Sequence, residues 1–146
     1  MRVGDAVKNT KRRGSQYEAL FVAQALKRGL DILEPYGDYM PYDVMVQNAD
    51  GRIQRVQVKG TGARIKGKPG FKIIAASGNT TKAPINPGEV DVLAAYVEPE
   101  DVWYLIPVVK LTGNVSVYLN PHSKVNGKYE VWKEAWNVFQ NGGILG

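Results

Sequence analysis

The chain reads as an α/β domain, a mixed central β-sheet of five or six strands flanked by two main α-helices. Three observations say so. Apolar residues at helical spacing occur near the start, at Tyr17, Leu20, Phe21, Ala25 and Leu26, and again near the end, at Trp132, Ala135, Trp136 and Phe139. Between them lie short apolar or alternating runs of strand length, punctuated by Gly, Pro, Asn and Asp. One of these breaks, Asn48-Ala49-Asp50-Gly51, has the chemistry of a hairpin turn. At 146 residues, 44% hydrophobic and 23% charged, the chain is expected to be one domain, residues 1–146, with a single real core.

The elements follow in order. Residues 1–13 carry Arg2, Lys8, Lys11, Arg12 and Arg13 with few apolar neighbours, as a loose basic arm or an extension of the first helix. Gly14-Ser15 opens that helix, with Ser15 as N-cap and Glu18 completing a capping box. Gly29 stands where a helix C-terminal glycine belongs. Leu30 to Leu33 is a short strand, Glu34 to Met40 a loop, and 42–60 a hairpin. Residues 60–70 form a mobile basic loop, Phe71 to Ala76 a strand, and Ser77 to Gly88 a loop kept irregular by Pro84 and Pro87. Val90 to Val97 suits a buried strand, Glu98-Pro99-Glu100-Asp101 a turn, and Val102 to Pro107 and Val115 to Leu119 two further strands. Tyr129 to Phe139 reads as a terminal amphipathic helix.

The hairpin register can be worked out. A two-residue turn on Asp50-Gly51 pairs Asp43 with Val58 and places Asp43 away from Gln57 and Lys59. A three-residue loop, Ala49-Asp50-Gly51, pairs Asn48 with Arg52, with Gly51 left-handed in a G1 bulge. Asp43 then lies opposite Gln57, and Lys59 is one step further along the same face. Tyr42, Val44 and Val46 meet Val58, Val56 and Gln54 on the other, largely apolar face. Turn chemistry and hydrophobic face choose the same register.

Composition excludes several classes. There is no cysteine, hence no disulfide framework and no thiolate metal site. No apolar run approaches the roughly 20 residues that span a membrane, and the basic N-terminus lacks the apolar stretch of a secretory signal. The expected location is cytoplasmic and nucleoid-associated. A net charge of +5 favours a polyanionic partner. His122 stands alone as the one histidine, a surface residue, and Trp132 and Trp136 are core residues rather than a base-stacking platform.

A carboxylate, a side-chain carbonyl and an ammonium group on one patch of a sheet suit metal-dependent cleavage of a phosphodiester. Such a cut needs an activated water, an offset for charge on phosphorus and a departing 3′ oxygen. Asp43 is the natural anionic metal ligand, with the Gln57 side-chain oxygen and the Val58 carbonyl as further oxygens. Lys59 would orient the water or offset phosphate charge. Glu18, one turn before Val22 and beside the apolar row, would bind metal or tune Lys59. Each has a plainer reading: Asp43 as a strand cap or a surface ion pair, Gln57 and Lys59 as the wet face of a hairpin, Glu18 as a capping residue.

In order and spacing, Glu18, Pro41-Tyr42-Asp43 and Gln57-Val58-Lys59 resemble the core of the PD-(D/E)XK nuclease superfamily. The stretch from Lys11 to Glu18 also looks like the G-x-x-x-E helix opening of archaeal Holliday junction resolvases. The rest of the chain is similar to the small homing endonucleases of this fold encoded in group I introns. Val90-Asp91-Val92-Leu93, Val102 to Pro107 and Tyr129 to Trp136 carry that similarity, which covers about residues 12–139. The resemblance implies a restriction-endonuclease-like fold, an Mg2+-dependent DNA endonuclease with Mn2+ as a substitute, and a homo-oligomer, dimer or tetramer. Glu18, Asp43, Gln57 and Lys59 would be its catalytic residues, and Asp43, Gln57, Val58 and Glu18 its metal ligands. The superfamily usually has Asp or Glu where this chain has Gln57. The amide keeps an oxygen but removes a charge, which favours one metal over two; glutamine is known there in the intron-encoded group.

Double-stranded or branched DNA would be held by Lys11, Arg12, Arg13 and Ser15 on one flank and Thr61, Arg64, Lys66, Lys68 and Lys72 on the other. Loops 61–70 and 77–88 are the candidates for reading bases. The same chemistry would serve a junction resolvase or a repair nuclease. A decayed nuclease fold would be a non-catalytic DNA-binding protein, against which an intact Glu18, Asp43, Gln57 and Lys59 argue.

Overall fold

The apolar stripe of the first helix, α1 (Val3–Lys27), is buried where helical spacing puts it, at Tyr17, Phe21 and Ala25. The structure, a computed structural model, describes residues 3–77, 82–124 and 127–140, and side chains from residue 10 onward. The basic N-terminal segment is helical from Val3, so it extends α1. Ser15 and Glu18 therefore lie inside the helix and form neither an N-cap nor a capping box. Lys, Arg and Ala propagate a helix well, and one interior glycine, Gly14, costs only about 1 kcal/mol. At the other end Gly29 is left-handed (φ 79°), and the Gly29 and Leu30 amides donate back to the Leu26 and Ala25 carbonyls, each at 3.0 Å. This is a Schellman closure, as the glycine foretold.

Among the described residues nine strands follow: β1 (Asp31–Leu33), β2 (Val44–Gln47), β3 (Ile53–Thr61), β4 (Phe71–Ile74), β5 (Ala76–Ser77), β6 (Ala83–Pro84), β7 (Val92–Val97), β8 (Val102–Pro107) and β9 (Ser116–Leu119). Five build the central sheet in the order β1-β2-β3-β7-β8, antiparallel except where β3 runs parallel to β7. All six residues of β7 are buried, as a central strand covered on both faces requires. Arg55 and Asp91 lock the start of the parallel pair, the Asp91 carboxylate accepting from the Arg55 backbone N–H (2.7 Å) and its guanidinium (2.9 and 3.0 Å).

Each face of the sheet has its own core. Val44, Val46, Val56, Val58, Val92 and Ala94 pack under α1 and the C-terminal segment. On the opposite face Leu93, Ala95, Val97, Tyr104 and Ile106 pack under the β4–β9 ribbon, whose inner residues Phe71, Ile73, Val117 and Leu119 are almost wholly buried.

The segment from Tyr129 to Phe139 is not the second flanking helix. It forms two 3-10 turns, Glu130–Trp132 and Trp136–Phe139, separated by a left-handed Glu134 (φ 50°). Tertiary bonds override its helical spacing. Lys133 bridges to Tyr104 of β8, the Glu134 amide donates to the Trp103 carbonyl at 2.7 Å, and the Glu134 carboxylate accepts from the Trp103 amide at 2.8 Å. Its apolar residues still reach the core: Phe21, Trp103, Trp136 and Phe139 form one aromatic cluster, and Arg28 stacks 4.2 Å over the Trp136 ring.

Candidate functional site

The hairpin takes the register its turn chemistry demands. Val44 pairs with Val56, Val46 with Gln54 and Gln47 with Ile53, and Asn48 bonds Arg52 across a three-residue loop. The Asn48 carbonyl accepts from Gly51 at 2.9 Å, its side-chain oxygen accepts from the Asp50 and Arg52 amides, and Gly51 is left-handed (φ 86°). This is the expected turn with its G1 bulge.

A second irregularity sits at the far end of the hairpin. The Asp43 amide donates at 2.9 Å to the carbonyl of Val56, the residue that already pairs with Val44. Two residues of one strand thus face one of the other, which is a β-bulge. The bulge shifts the side-chain alternation by one. Tyr42 therefore packs against the ribbon-side core, whereas Val58 lies in the core under α1, so the expected facing of Tyr42 and Val58 does not occur. The bulge also takes Asp43 out of its expected place opposite Gln57, because its amide shares the Val56 carbonyl instead. Its carboxylate runs along the exposed edge of β3 and accepts the Val58 N–H at 2.8 Å. By strand geometry the Val58 carbonyl turns to the same edge, which β2 has vacated.

Glu18 meets Asp43 there from α1, and the two carboxyls hydrogen-bond. Burial first, and then the Asp43 carboxylate, push the Glu18 carboxyl up to about 7. Burial also raises Asp43, against the opposing pull of the Val58 N–H, the Lys59 ammonium and the Glu18 bond. Gln57 and Lys59 alternate with Val56 and Val58 and stand level with Leu93 and Ala95 of β7. The Gln57 side-chain oxygen is buried and has no hydrogen-bond partner. An unpaired buried oxygen costs about 1–3 kcal/mol; among the described residues Asn48 Nδ2 and Gln54 Oε1 are buried without a partner as well.

Two hollows flank α1. One, of about 470 Å3, is lined by Ser15, Glu18, Glu34 and Asp43 among others. The other, of about 430 Å3, is lined by Thr10, Arg13, Lys59, Gly60, Thr61 and Gly62 among others. Glu34 is absent from the sequence-derived site, though it adds to the upward pressure on Glu18. It follows Leu33, which pairs with Met45, so its place beside Asp43 depends on a β1–β2 register that a long loop conceals. Among the described residues no cluster of three or more His, Cys, Asp or Glu could hold a metal; here the donors are carboxylates and an amide.

The cations expected to hold a polyanion are scattered around these hollows. Arg13 and Thr61 lie beside Lys59, and Ser15 beside Glu18 and Asp43. Lys11 and Arg12 are exposed on α1, and Lys66 and Lys68 on the loop after β3. Arg64 is partly engaged, 3.8 Å from Glu100 and 5.9 Å above Phe71. Lys72 is exposed on β4 opposite Tyr118, on the ribbon layer. The Lys8 side chain and residues 78–81 of the second candidate reading loop fall outside the described residues. His122 is exposed and pairs with Glu100 at 2.7 Å.

No curated protein matches the chain. Among solved structures it superposes on a bacterial homing endonuclease, I-Ssp6803I, with a TM-score of 0.76 and 24% identity, over 93% of this chain and 94% of the other, which shows a shared fold. The profile of PD-(D/E)XK endonucleases matches residues 8–139, a span that contains Glu18, Asp43, Gln57 and Lys59. On that match the chain belongs to the PD-(D/E)XK endonuclease family.

Proposed function

We propose that this nuclease is an Mg2+-dependent DNA endonuclease of the homing type, with Glu18, Asp43, Gln57 and Lys59 as its catalytic residues. The observation that carries the proposal is the meeting of the Glu18 and Asp43 carboxyls at the edge of β3, with Lys59 close enough to act on Asp43; Gln57, next to Val58 in the chain, adds a buried side-chain oxygen with no partner. That donor set fits a divalent cation. Hard oxygens are its preferred ligands, and a cation would relieve both the crowding of the carboxyls and the orphaned oxygen. Asp43, Glu18, the Gln57 oxygen and the Val58 carbonyl would hold it. When bound, Mg2+ supplies Lewis acidity toward water and phosphate oxygens; Mn2+ is expected to substitute.

The chain's own groups do the rest. Lys59 holds a positive charge next to Asp43 and toward the hollow lined by Arg13 and Thr61, where it would orient water and offset charge on the phosphate. Asp43 is fixed by the Val58 N–H, so it meets its ligand without reorganisation. Gln57 in place of a carboxylate leaves less negative charge and favours one metal. Lys11, Arg12, Arg13, Ser15, Thr61, Arg64, Lys66, Lys68 and Lys72 are the proposed DNA contacts, and a chain this small needs a second copy, in a dimer or tetramer, to cut both strands of a long site. Among the described residues no helix is long and apolar enough to cross a membrane.

The test is cleavage of supercoiled plasmid and of a synthetic four-way junction, with Mg2+ or EDTA, beside Lys59→Ala. Mg2+-dependent cutting of duplex that the substitution abolishes supports the proposal. Preference for the junction would reassign the chain to resolving or repair. Salt-dependent binding without cutting of either DNA would make it a binding protein.

A further inference from the structure

One hydrogen bond ties the helix of Glu18 to the end of β7, the parallel neighbour of the strand that carries Lys59, and it lies one residue away from Glu18. The Tyr17 hydroxyl donates to Glu98 Oε1 at 2.8 Å. Tyr17 directly precedes Glu18. Glu98 directly follows β7, whose last three residues pair with Lys59, Gly60 and Thr61 in parallel register (Lys59 with Ala95, Gly60 with Tyr96, Thr61 with Val97). Glu98 is therefore held in fixed register to Lys59 by the sheet, and Tyr17 to Glu18 by the helix.

The packing around this bond is close. The Tyr17 ring is 5% exposed and meets the Tyr96 ring edge-on at 5.6 Å. It lies directly on the backbone after Lys59: a Cβ at Gly60 would stand 2.4 Å from two of its ring carbons. A Cβ at Gly62 would stand 2.7 Å from Arg13 Nη1 and 3.2 Å from Glu98 Oε1. The helix thus approaches the end of β3 over Gly60, where the buried Tyr17 ring leaves no room for a side chain; at Gly62 the neighbours are the movable tips of Arg13 and Glu98.

We propose that Tyr17 and Glu98 form a positioning brace that holds Glu18 against Asp43 and in register with Lys59, and that Gly60 is the opening this brace requires. The proposal rests on the nuclease reading of the site. Tyr17 and Glu98 touch no reacting group; they act through Glu18. Misplacement of a catalytic group by about 1 Å lowers rates by about a hundredfold, so loss of the bond should register at the chemistry more than in DNA affinity.

The variants are Tyr17→Phe, which keeps the ring packing and removes only the bond, Glu98→Ala, and Glu98→Gln, which keeps an oxygen for the Tyr17 hydroxyl. Four quantities are measured on each: melting temperature, Mn2+ affinity of the protein alone by calorimetry, DNA affinity in EDTA, and the plasmid cleavage rate at excess enzyme. The expected result is weaker Mn2+ binding and cleavage about ten- to a hundredfold slower for Tyr17→Phe and Glu98→Ala, unchanged DNA affinity, and recovery in Glu98→Gln. Should Glu98→Ala fail to fold, Tyr17→Phe decides. A lower melting temperature with wild-type Mn2+ affinity and cleavage rate would overturn the brace and leave the nuclease reading standing. A wild-type chain that binds no Mn2+ and cuts no plasmid would remove the nuclease reading, and the brace with it.

Discussion

Raising the pH in the absence of divalent metal should cost this protein stability, with Glu18 as the main cause. Burial and the neighbouring Asp43 carboxylate move the Glu18 carboxyl from 4.5 to about 7 in the folded chain. Between those values the folded chain keeps a proton that the unfolded chain has released, so stability falls as the pH rises. The Glu18 contribution is highest below 4.5, declines toward 7, and levels off above it. Taken whole, the shift is worth about 3 kcal/mol at about 1.4 kcal/mol per unit. Glu18 is in part open to water, and screening brings the expected loss to about 1–2 kcal/mol. Asp43, also raised, adds in the same direction. The assay is urea unfolding in EDTA from about pH 4 to about pH 8, on the wild type and on Glu18→Gln, which mimics the protonated acid at every pH. The wild type should lose about 1–2 kcal/mol relative to the variant across that range, and Mg2+ should reverse the loss by favouring the ionised pair. Parallel pH profiles for the two proteins would refute the account of Glu18.

Other outcomes follow from the same geometry. Asp43→Asn should abolish cleavage yet fold, because an amide oxygen can still accept the Val58 N–H; circular dichroism beside a cleavage assay separates the two effects. Gln57→Glu should fold and bind Mn2+ more tightly than wild type by calorimetry, whereas failure to fold would make Gln57 structural. Gly51→Val forces a β-branched residue into a left-handed position (φ 86°) and should destabilise the hairpin by about 1–2 kcal/mol in urea unfolding. Removing the carboxylate in Glu130→Ala strips the acceptor from the wholly buried Tyr104 hydroxyl and from the Asn120 amide, for an expected loss of about 1–3 kcal/mol.

Much of this protein could be read from residue pattern alone. The helix around Phe21, its closure at Gly29, the β2–β3 register and the buried run of β7 all rest on local chemistry: spacing, turn residues and strand length. That is why Asp43 could be brought to the Val58–Lys59 stretch of β3 from sequence, since turn type fixes register and register fixes neighbours. Tertiary structure decided the rest. The bulge at Asp43 depends on where β2 ends, and it turns the carboxylate to the β3 edge. The helical spacing of Tyr129 to Phe139 lost to hydrogen bonds from Trp103, which lies about thirty residues away in sequence. Glu34 beside Glu18, and Glu98 on Tyr17, meet their partners only through pairings across long connections, β1 to β2 and β3 to β7. No local pattern encodes contacts of that separation: they follow from how the sheet is ordered, and that order is settled by burying both of its faces at once.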